Sequence, residues 1–514
     1  MGSKFKNFGL IGLGMVAGVA VSMQFSAVAQ KTTGNPLPIE ELRQLTDVFG
    51  LIKSDYVEPV EDNKLLTEAI TGMVASLDPH SAYLDKKAFK ELKEGTQGKF
   101  VGLGIEVGME DGYVKIISPI EDSPAYRAGL KPGDLITRLD SLPVKGLSLD
   151  EAVKKMRGEP NTKITLTIAR KNEDKPIVVT IVRELIKQQS VKAKIVEPGY
   201  AWVRIAQFQE PTVEDMAKKI QTLYAQDPAI KGLILDLRND PGGVLPGAIG
   251  VSAAFLPKDV PVVSTNGQLP DSKATFYARR EFYSGRTLSD PLAKLPEAIK
   301  NVPMVVLINT GSASASEIVA GALQDYKRAT ILGTQSFGKG SVQTIRQISA
   351  DTAVKLTTAR YYTPNGRSIQ AKGIVPDLNV EETADGDGFN GLRAREADLQ
   401  KHLSNDKEKE VARPKVDEAE EEQRLIALAK KSKPLEYGGA EDFQLAQALN
   451  HLKGLPVKVT EAKVADKDGK DSKDAKDTGK DAEKAGKSDK SDKADKTEHK
   501  TDHKTDSKTD PKKK

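Results

Sequence analysis

A chain of 514 residues exceeds one ordinary domain, and with 38% hydrophobic residues it can bury a sizeable core in two or three. Its 77 basic and 73 acidic side chains leave a net charge of +4, without the concentrated basic excess of a dedicated nucleic-acid binder. Cysteine is absent, which excludes disulfides, thiolate metal sites and a cysteine nucleophile, and none of the five histidines lies between residues 81 and 401.

In chain order, residues 1–29 read first as an export signal. Lys4 and Lys6 give a positive start, Phe8 to Val21 is apolar, and Ala27-Val28-Ala29 fits a small-residue cleavage site before Gln30. The apolar stretch also approaches spanning length, so an uncleaved membrane anchor is the alternative. Either reading exports the body of the protein to the periplasm, free or held at the inner membrane. Residues 30–95 form a helical segment: Ile39 to Tyr56 and Lys64 to Ser76 carry apolar residues at three- and four-residue spacing, suited to packing or dimerisation.

Residues 96–186 change character. Gly102-Leu103-Gly104-Ile105 opens a strand, a turn at Asp111-Gly112 leads into Tyr113–Ile117, and Ala128-Gly129-Leu130-Lys131-Pro132-Gly133-Asp134 precedes strands near Leu135–Leu139 and Ile164–Ala169. Ser148 starts a helix over Leu149–Arg157 that stops at Gly158. This stretch resembles a PDZ domain. The resemblance implies that the N–H groups of Leu103, Gly104 and Ile105 receive a peptide's terminal carboxylate while the peptide adds to the sheet edge as a strand.

From 187 to 384 the pattern is α/β. Gly232–Leu237 and Met304–Asn309 are continuous apolar runs typical of buried strands, each followed by a turn and a helix. Residues 264–300 are more polar and are predicted to be loop-rich. Over 385–460 the chain turns charged, with helical spacing at Leu392–Leu403, Glu418–Lys430 and Ala440–Leu452. Residues 461–514 are a Lys/Asp/Ser/Thr repeat with almost nothing apolar, predicted to be a solvated, disordered tail rather than a histidine metal tract at His499 and His503.

The chemistry concentrates at two places. Gly311-Ser312-Ala313-Ser314-Ala315-Ser316-Glu317 lies between a buried strand and a helix, where a nucleophile at a sharp turn would sit beside free helix N–H groups. Ser314 and Glu317 also have the spacing of a capping box, so this segment alone leaves capping and catalysis both open. Gly338-Lys339-Gly340-Ser341-Val342-Gln343 supplies the second element. With no histidine in the region, lysine can be the base if burial lowers its pKa, and Lys339 has few acids near it in sequence. Gln343 can hydrogen-bond the amine and fix its direction. Gly333 to Lys339 also matches the start of a P-loop, but Gly340 stands where Ser or Thr would hold magnesium, and the residues that follow read as a strand.

Together GSASASEI and FGKGSVQ, with 25 residues from Ser314 to Lys339, resemble the carboxyl-terminal processing (tail-specific) proteases. The resemblance runs from about residue 40 to 382 and includes Leu77-Asp78-Pro79-His80-Ser81, Asp236-Leu237-Arg238-Asn239-Asp240-Pro241-Gly242-Gly243 and Lys372-Gly373-Ile374-Val375-Pro376-Asp377. It implies an α+β multidomain fold, with a PDZ domain ahead of an α/β serine protease core of the ClpP/crotonase type. It makes Ser314 the nucleophile, Lys339 the general base and Gln343 the residue orienting it. The oxyanion hole falls to the Ala315 N–H and an N–H of the Gly242–Gly243 turn. No cofactor or metal is implied. The expected partners are unfolded or processed proteins with free C-termini, a helical-repeat lipoprotein adaptor, and further copies of the chain in a dimer or larger homo-oligomer. A PDZ scaffold or chaperone on an inactive protease fold is the contrasting expectation.

Overall fold

The computed structural model describes residues 37–459 apart from 121, 172, 174, 286–288, 385–393 and 409–435. The export-signal region, the helix expected over Glu418–Lys430 and the tail from 461 lie outside the described residues. Among the described residues no helix is long and apolar enough to cross a membrane.

The N-terminal segment holds α1 (Ile39–Asp55) and α2 (Asp62–Ala75), then the short strand β1 (Ala82–Leu84) and α3 (Lys86–Gln97). None of α1 is buried, which leaves Leu42, Leu45, Val48 and Leu51 exposed along it. Asp85 caps α3 by accepting the Ala88 N–H at 2.7 Å.

Two strands, β2 (Lys99–Gly102) and one at Glu184–Lys187, form the neck of the next region. Between them β3 (Ile105–Glu110), β4 (Tyr113–Pro119), β5 (Leu135–Leu139), the two-residue β6 (Leu142–Pro143), β7 (Lys163–Ala169) and β8 (Ile177–Val182) build one antiparallel sheet. Its order is β3-β4-β5-β7-β8, with β6 beside β5, so β3 is an edge strand. Alternate residues such as Ile164, Leu166 and Ile168 point into a core shared with Val114, Ile116 and Ile136. Helices α4 (Pro124–Arg127) and α5 (Leu149–Met156) flank the sheet, and α5 opens at Ser148 as expected, where the structure adds a capping box with Glu151. The neck closes when β9 (Glu184–Lys187) pairs antiparallel with β2.

The core follows as β10 (Val191–Glu197), β11 (Tyr200–Ile205), α6 (Thr212–Gln226), β12 (Gly232–Asp236), α7 (Leu245–Phe255), β13 (Pro261–Gly267), β14 (Ala274–Tyr277) and α8 (Arg280–Tyr283). Next come β15 (Met304–Ile308), α9 (Ala315–Asp325), β16 (Thr330–Gly333), β17 (Ser341–Gln347), β18 (Ala353–Tyr362), β19 (Leu378–Asn379) and α10 (Phe443–Leu452). One sheet has the order β10-β11-β12-β15-β16-β19 and is parallel from β11 onward. Every residue of β12 and β15 is buried because both faces are covered. Leu233, Leu235, Val306 and Ile308 pack with α6, α7 and α9, whereas Ile234, Val305 and Leu307 pack with Leu445, Ala448 and Leu449 of α10.

The structure departs from the sequence reading at two places. The stretch expected to be loop-rich, 264–300, contributes the end of β13 and all of β14 before running on mostly in turns among the described residues; both strands join a second sheet through the long β18, itself paired with β1 and β17. Buried Val262 and Val263 anchor β13 on the main core, a gain that outweighs the polar composition around them. No helix forms over the described part of Leu392–Leu403; only a 3-10 turn appears at Glu396–Asp398. The segment bonds to neighbouring loops instead: the Glu396 N–H donates to the Phe337 carbonyl at 3.1 Å, and Gln370 Nε2 donates to the Leu403 carbonyl at 2.9 Å.

Candidate active site

Strands β12 and β15 are parallel neighbours, so the turns at their carboxyl ends lie side by side, where ligands bind in open α/β sheets. Hydrogen bonds join the two turns. Ser312 Oγ donates to the Leu237 carbonyl at 2.8 Å, Ser316 Oγ and the Ala313 N–H both reach the Asp240 carbonyl at 2.9 Å, and the Asn239 N–H donates to Asn309 Oδ1 at 2.9 Å. Arg238 anchors them from below, fully buried between Asp236 and Asp442 at 2.6 Å each. Ser312 and Ser316 are thus structural, and Ser314 is left as the one serine of the motif that is not fully buried.

Ser314 has φ 56° and ψ −111°, a strained backbone held by these surroundings at the turn into α9. Only one half of a capping box is hydrogen-bonded: Glu317 accepts the Ser314 N–H at 2.8 Å, but the Ser314 side chain makes no cap hydrogen bond. The Glu317 N–H donates to the Ser314 carbonyl at 2.9 Å instead. The hydroxyl meets Tyr361, whose own O–H donates to the Lys339 carbonyl.

Glu317 does more than cap. One carboxylate oxygen accepts the N–H groups of Ser314 at 2.8 Å and Lys339 at 3.0 Å; the other accepts Ser336 Oγ at 2.6 Å and the Gly338 N–H at 2.7 Å. A fully buried carboxylate therefore fixes the backbone of both expected catalytic residues. Burial pushes its pKa up to about 7, against the pull of those four donors.

Lys339 lies on the loop between β16 and β17. Burial pushes its amine down to about 8; Lys355 adds to this, while Glu396, Glu317 and Asp78 oppose it. The amine donates to Gln343 Oε1 and, at 3.3 Å, to the Ser341 carbonyl. A neutral amine has two N–H groups and one lone pair, so these two acceptors leave the lone pair free to take a proton. No hydrogen bond joins Lys339 Nζ to Ser314 Oγ in this structure; the sites are linked through Glu317 and Tyr361. Gln343 is held in turn, its Nε2 donating to Ser341 Oγ at 3.0 Å and Thr357 Oγ1 at 3.1 Å. Thr357 Oγ1 then donates to Asp78 Oδ1 at 3.1 Å, which ties Gln343 to the LDPHS turn of the N-terminal segment.

Of the expected oxyanion donors, the Gly242 N–H is already bound to Asp240 Oδ1 at 2.9 Å. Among the described residues the N–H groups of Gly243 and Ala315 have no acceptor. Gly242 lies close against the serine turn: a Cβ there would come 2.7 Å from the Ala313 carbonyl and 2.8 Å from the Ala315 nitrogen. The pair Gly243 and Ala315 thus offers two free donors beside Ser314.

Leu103, Gly104 and Ile105 lie apart from this centre, where β2 passes into the edge strand β3. No acceptor receives the N–H of Leu103 or Gly104 among the described residues. Gly104 has φ 75°, and a Cβ would fall 2.2 Å from Ser123 Cβ, so only glycine lets the loop close. Half-buried Ile105 and Val107 on β3 and Leu149 and Val153 on α5 give the edge an apolar lining. Among the described residues no group of His, Cys, Asp or Glu is placed to hold a metal ion.

Three family models match the chain: peptidase family S41 over residues 199–380, the activating protease CtpB N-terminal domain over 13–88, and a PDZ domain over 115–170. A "Carboxy-terminal-processing protease" of Bartonella bacilliformis is 46% identical over 371 residues, 71% of this chain and 82% of that one. A "Probable CtpA-like serine protease" of Staphylococcus aureus is 37% identical over 375 residues, 72% of this chain and 71% of that one. Among solved structures, a photosystem II D1 C-terminal processing protease is 29% identical, with TM-score 0.37 over 63% of this chain and 84% of that one.

Proposed function

The chain is a member of peptidase family S41, the carboxy-terminal-processing proteases, and from that premise we propose that it is a serine endopeptidase using a Ser314–Lys339 dyad. The observation that carries this reading is a buried lysine, lowered to about 8, whose two N–H groups have acceptors and whose lone pair is free. Catalytic hydrogen bonds are often loose before substrate binds, and the four-carbon stem of Lys339 is flexible enough to bring Nζ to Ser314 Oγ.

In the reaction, Lys339 Nζ takes the Ser314 hydroxyl proton as Oγ bonds to the scissile carbonyl carbon. The oxyanion forms against the Ala315 and Gly243 N–H groups at the start of α9. The C–N bond then breaks, and the leaving amine takes the proton from the Lys339 ammonium. Water attacks the acyl-enzyme with Lys339 again as base, which releases a new carboxyl terminus and restores Ser314. Gln343 keeps the amine directed throughout.

Upstream, the PDZ domain captures a substrate's C-terminal carboxylate on the Leu103–Ile105 loop and the peptide along β3. The unpaired N–H groups and the open edge of β3 support this. Exported envelope proteins with unfolded tails are the substrates. The exposed apolar side chains of α1 support a homo-oligomer of at least two chains.

The test is a rapid quench during turnover of an unstructured substrate, followed by digestion and mass analysis. An acyl adduct on the peptide carrying Ser314 is expected. Turnover without an adduct, undiminished in Ser314→Ala, would refute the reading.

A further inference from the structure

Two segments far apart in sequence meet beside the catalytic lysine, and nothing in the reaction above uses them. In the LDPHS turn, Asp78 Oδ1 accepts the N–H groups of His80 and Ser81 at 2.8 and 2.9 Å, and Oδ2 accepts Ser81 Oγ at 2.7 Å. That tight turn presents His80 Nε2 to Glu396 Oε2 at 2.7 Å. An ionised carboxylate only accepts, so the imidazole supplies the hydrogen. The other oxygen of Glu396 accepts Gln370 Nε2 at 2.8 Å, and Gln370 Oε1 accepts the Gly340 N–H at 2.9 Å. Gly340 has no room for a side chain there, since a Cβ would fall 2.4 Å from the Gln370 nitrogen. On the other side of Lys339, the Glu396 N–H binds the Phe337 carbonyl at 3.1 Å and Arg395 Nε binds the Ser336 carbonyl at 3.2 Å.

We propose that His80 and Glu396 form a positioning pair for the lysine base, locking the backbone on both sides of Lys339 by joining the LDPHS turn to the strap at 394–408. This rests on the reading of Lys339 as the base. The geometry is unusual for a merely structural contact, because the chain of bonds from His80 through Glu396 and Gln370 ends on Gly340, next to Lys339, while the Glu396 N–H holds Phe337 two residues before it. The Glu396 side chain is 1% exposed and that of His80 18%, so water competes little for either. The pair has an electrostatic side as well. The charged groups acting on the Lys339 amine are Glu396 from the strap, Lys355 from β18, Glu317 from α9 and Asp78 from the LDPHS turn. Among them Glu396 stands first, and its negative charge favours the ammonium form. Removing that charge makes Lys339 lose its proton at lower pH.

The test is kcat and KM from pH 6 to 10 on an unstructured peptide with a free C-terminus, for full-length wild type, His80→Ala, His80→Gln, Glu396→Gln and Ser314→Ala. His80→Ala is expected to lower kcat about 10-fold or more with KM nearly unchanged, because a site residue is displaced and not a substrate contact. His80→Gln, which keeps a donor, is expected to recover most of the loss. Glu396→Gln is expected to move the midpoint of the kcat rise down by roughly 0.5 to 1 pH unit. Unfolding midpoints are measured beside the kinetics, and should His80→Ala not fold, the Gln variants decide. An unshifted midpoint in Glu396→Gln, or a His80→Gln variant that folds and is as slow as His80→Ala, overturns the proposal. If Ser314→Ala still turns over, the dyad itself is wrong; if it is dead while Glu396→Gln behaves as wild type, only the positioning pair is wrong.

Discussion

Substituting Glu317 by glutamine separates its contribution to stability from its hold on the backbone of Ser314 and Lys339. The carboxylate accepts four donors; the amide has one oxygen for two of them and turns an NH2 toward the other two. Leaving two buried donors unmet costs roughly 1–3 kcal/mol each. Against that stands the relief of a buried charge. A carboxyl raised from 4.5 to about 7 is favoured by the fold in its protonated form. Its contribution to stability is complete below pH 4.5 and lost as pH rises through 7, so the ionised group costs roughly 3 kcal/mol above that. The two effects largely cancel, and the unfolding midpoint of Glu317→Gln at pH 9 is expected to move little. Activity has no such compensation. Whichever way the amide points, it loses either the staple between Ser314 and Lys339 or the hold on Gly338 and Ser336. A fall in kcat of about 100-fold is expected, comparable to removing one oxyanion donor. Denaturant unfolding and kcat on an unstructured peptide at pH 9 read the two separately. A variant within three-fold of wild-type kcat would refute the argument that Glu317 aligns the dyad.

Three further outcomes follow from the geometry. The kcat of the wild type is expected to rise with pH through the lowered Lys339 pKa near 8 and to reach a plateau above it, and a plateau already complete at pH 6.5 would contradict a lysine base. Gly242→Ala places a Cβ 2.8 Å from Ser314 Cβ at φ 93°, so kcat is expected to drop about 100-fold or more with KM little changed; kcat within two-fold would mean the turn yields more easily than the contacts allow. Gly104→Ala, at φ 75° and 2.2 Å from Ser123 Cβ, is expected to raise KM for substrates with a free C-terminus while sparing those with an amidated one, and equal KM changes for both would remove the loop from recognition.

Much of this was legible in the sequence because it is local. The apolar runs at Gly232–Leu237 and Met304–Asn309 became the central strands, and Ser148 marked the start of α5. The S-x-x-E spacing at Ser314 was visible as a cap, but its second function depends on Gly338 and Lys339 arriving from another loop. Asp78 and His80 stood in a motif without a role, since their partners Thr357 and Glu396 are about 280 and 316 residues away. Tyr361 carried no signal at all; only the pairing of β18 brings it to Ser314. The helix expected near Leu392–Leu403 failed for the same reason, because non-local hydrogen bonds took its backbone groups.

The central claim is that Ser314 and Lys339 act as one unit. Its most direct test is turnover of one unstructured substrate by Ser314→Ala, Lys339→Ala and the double variant, each checked for an unchanged unfolding midpoint. Groups that act together lose nearly everything when either is removed, so all three are expected to be slower by about 1,000-fold or more and by similar factors. A Ser314→Ala protein that turns over like wild type but unfolds earlier would show that Ser314 is a helix cap and the dyad is wrong.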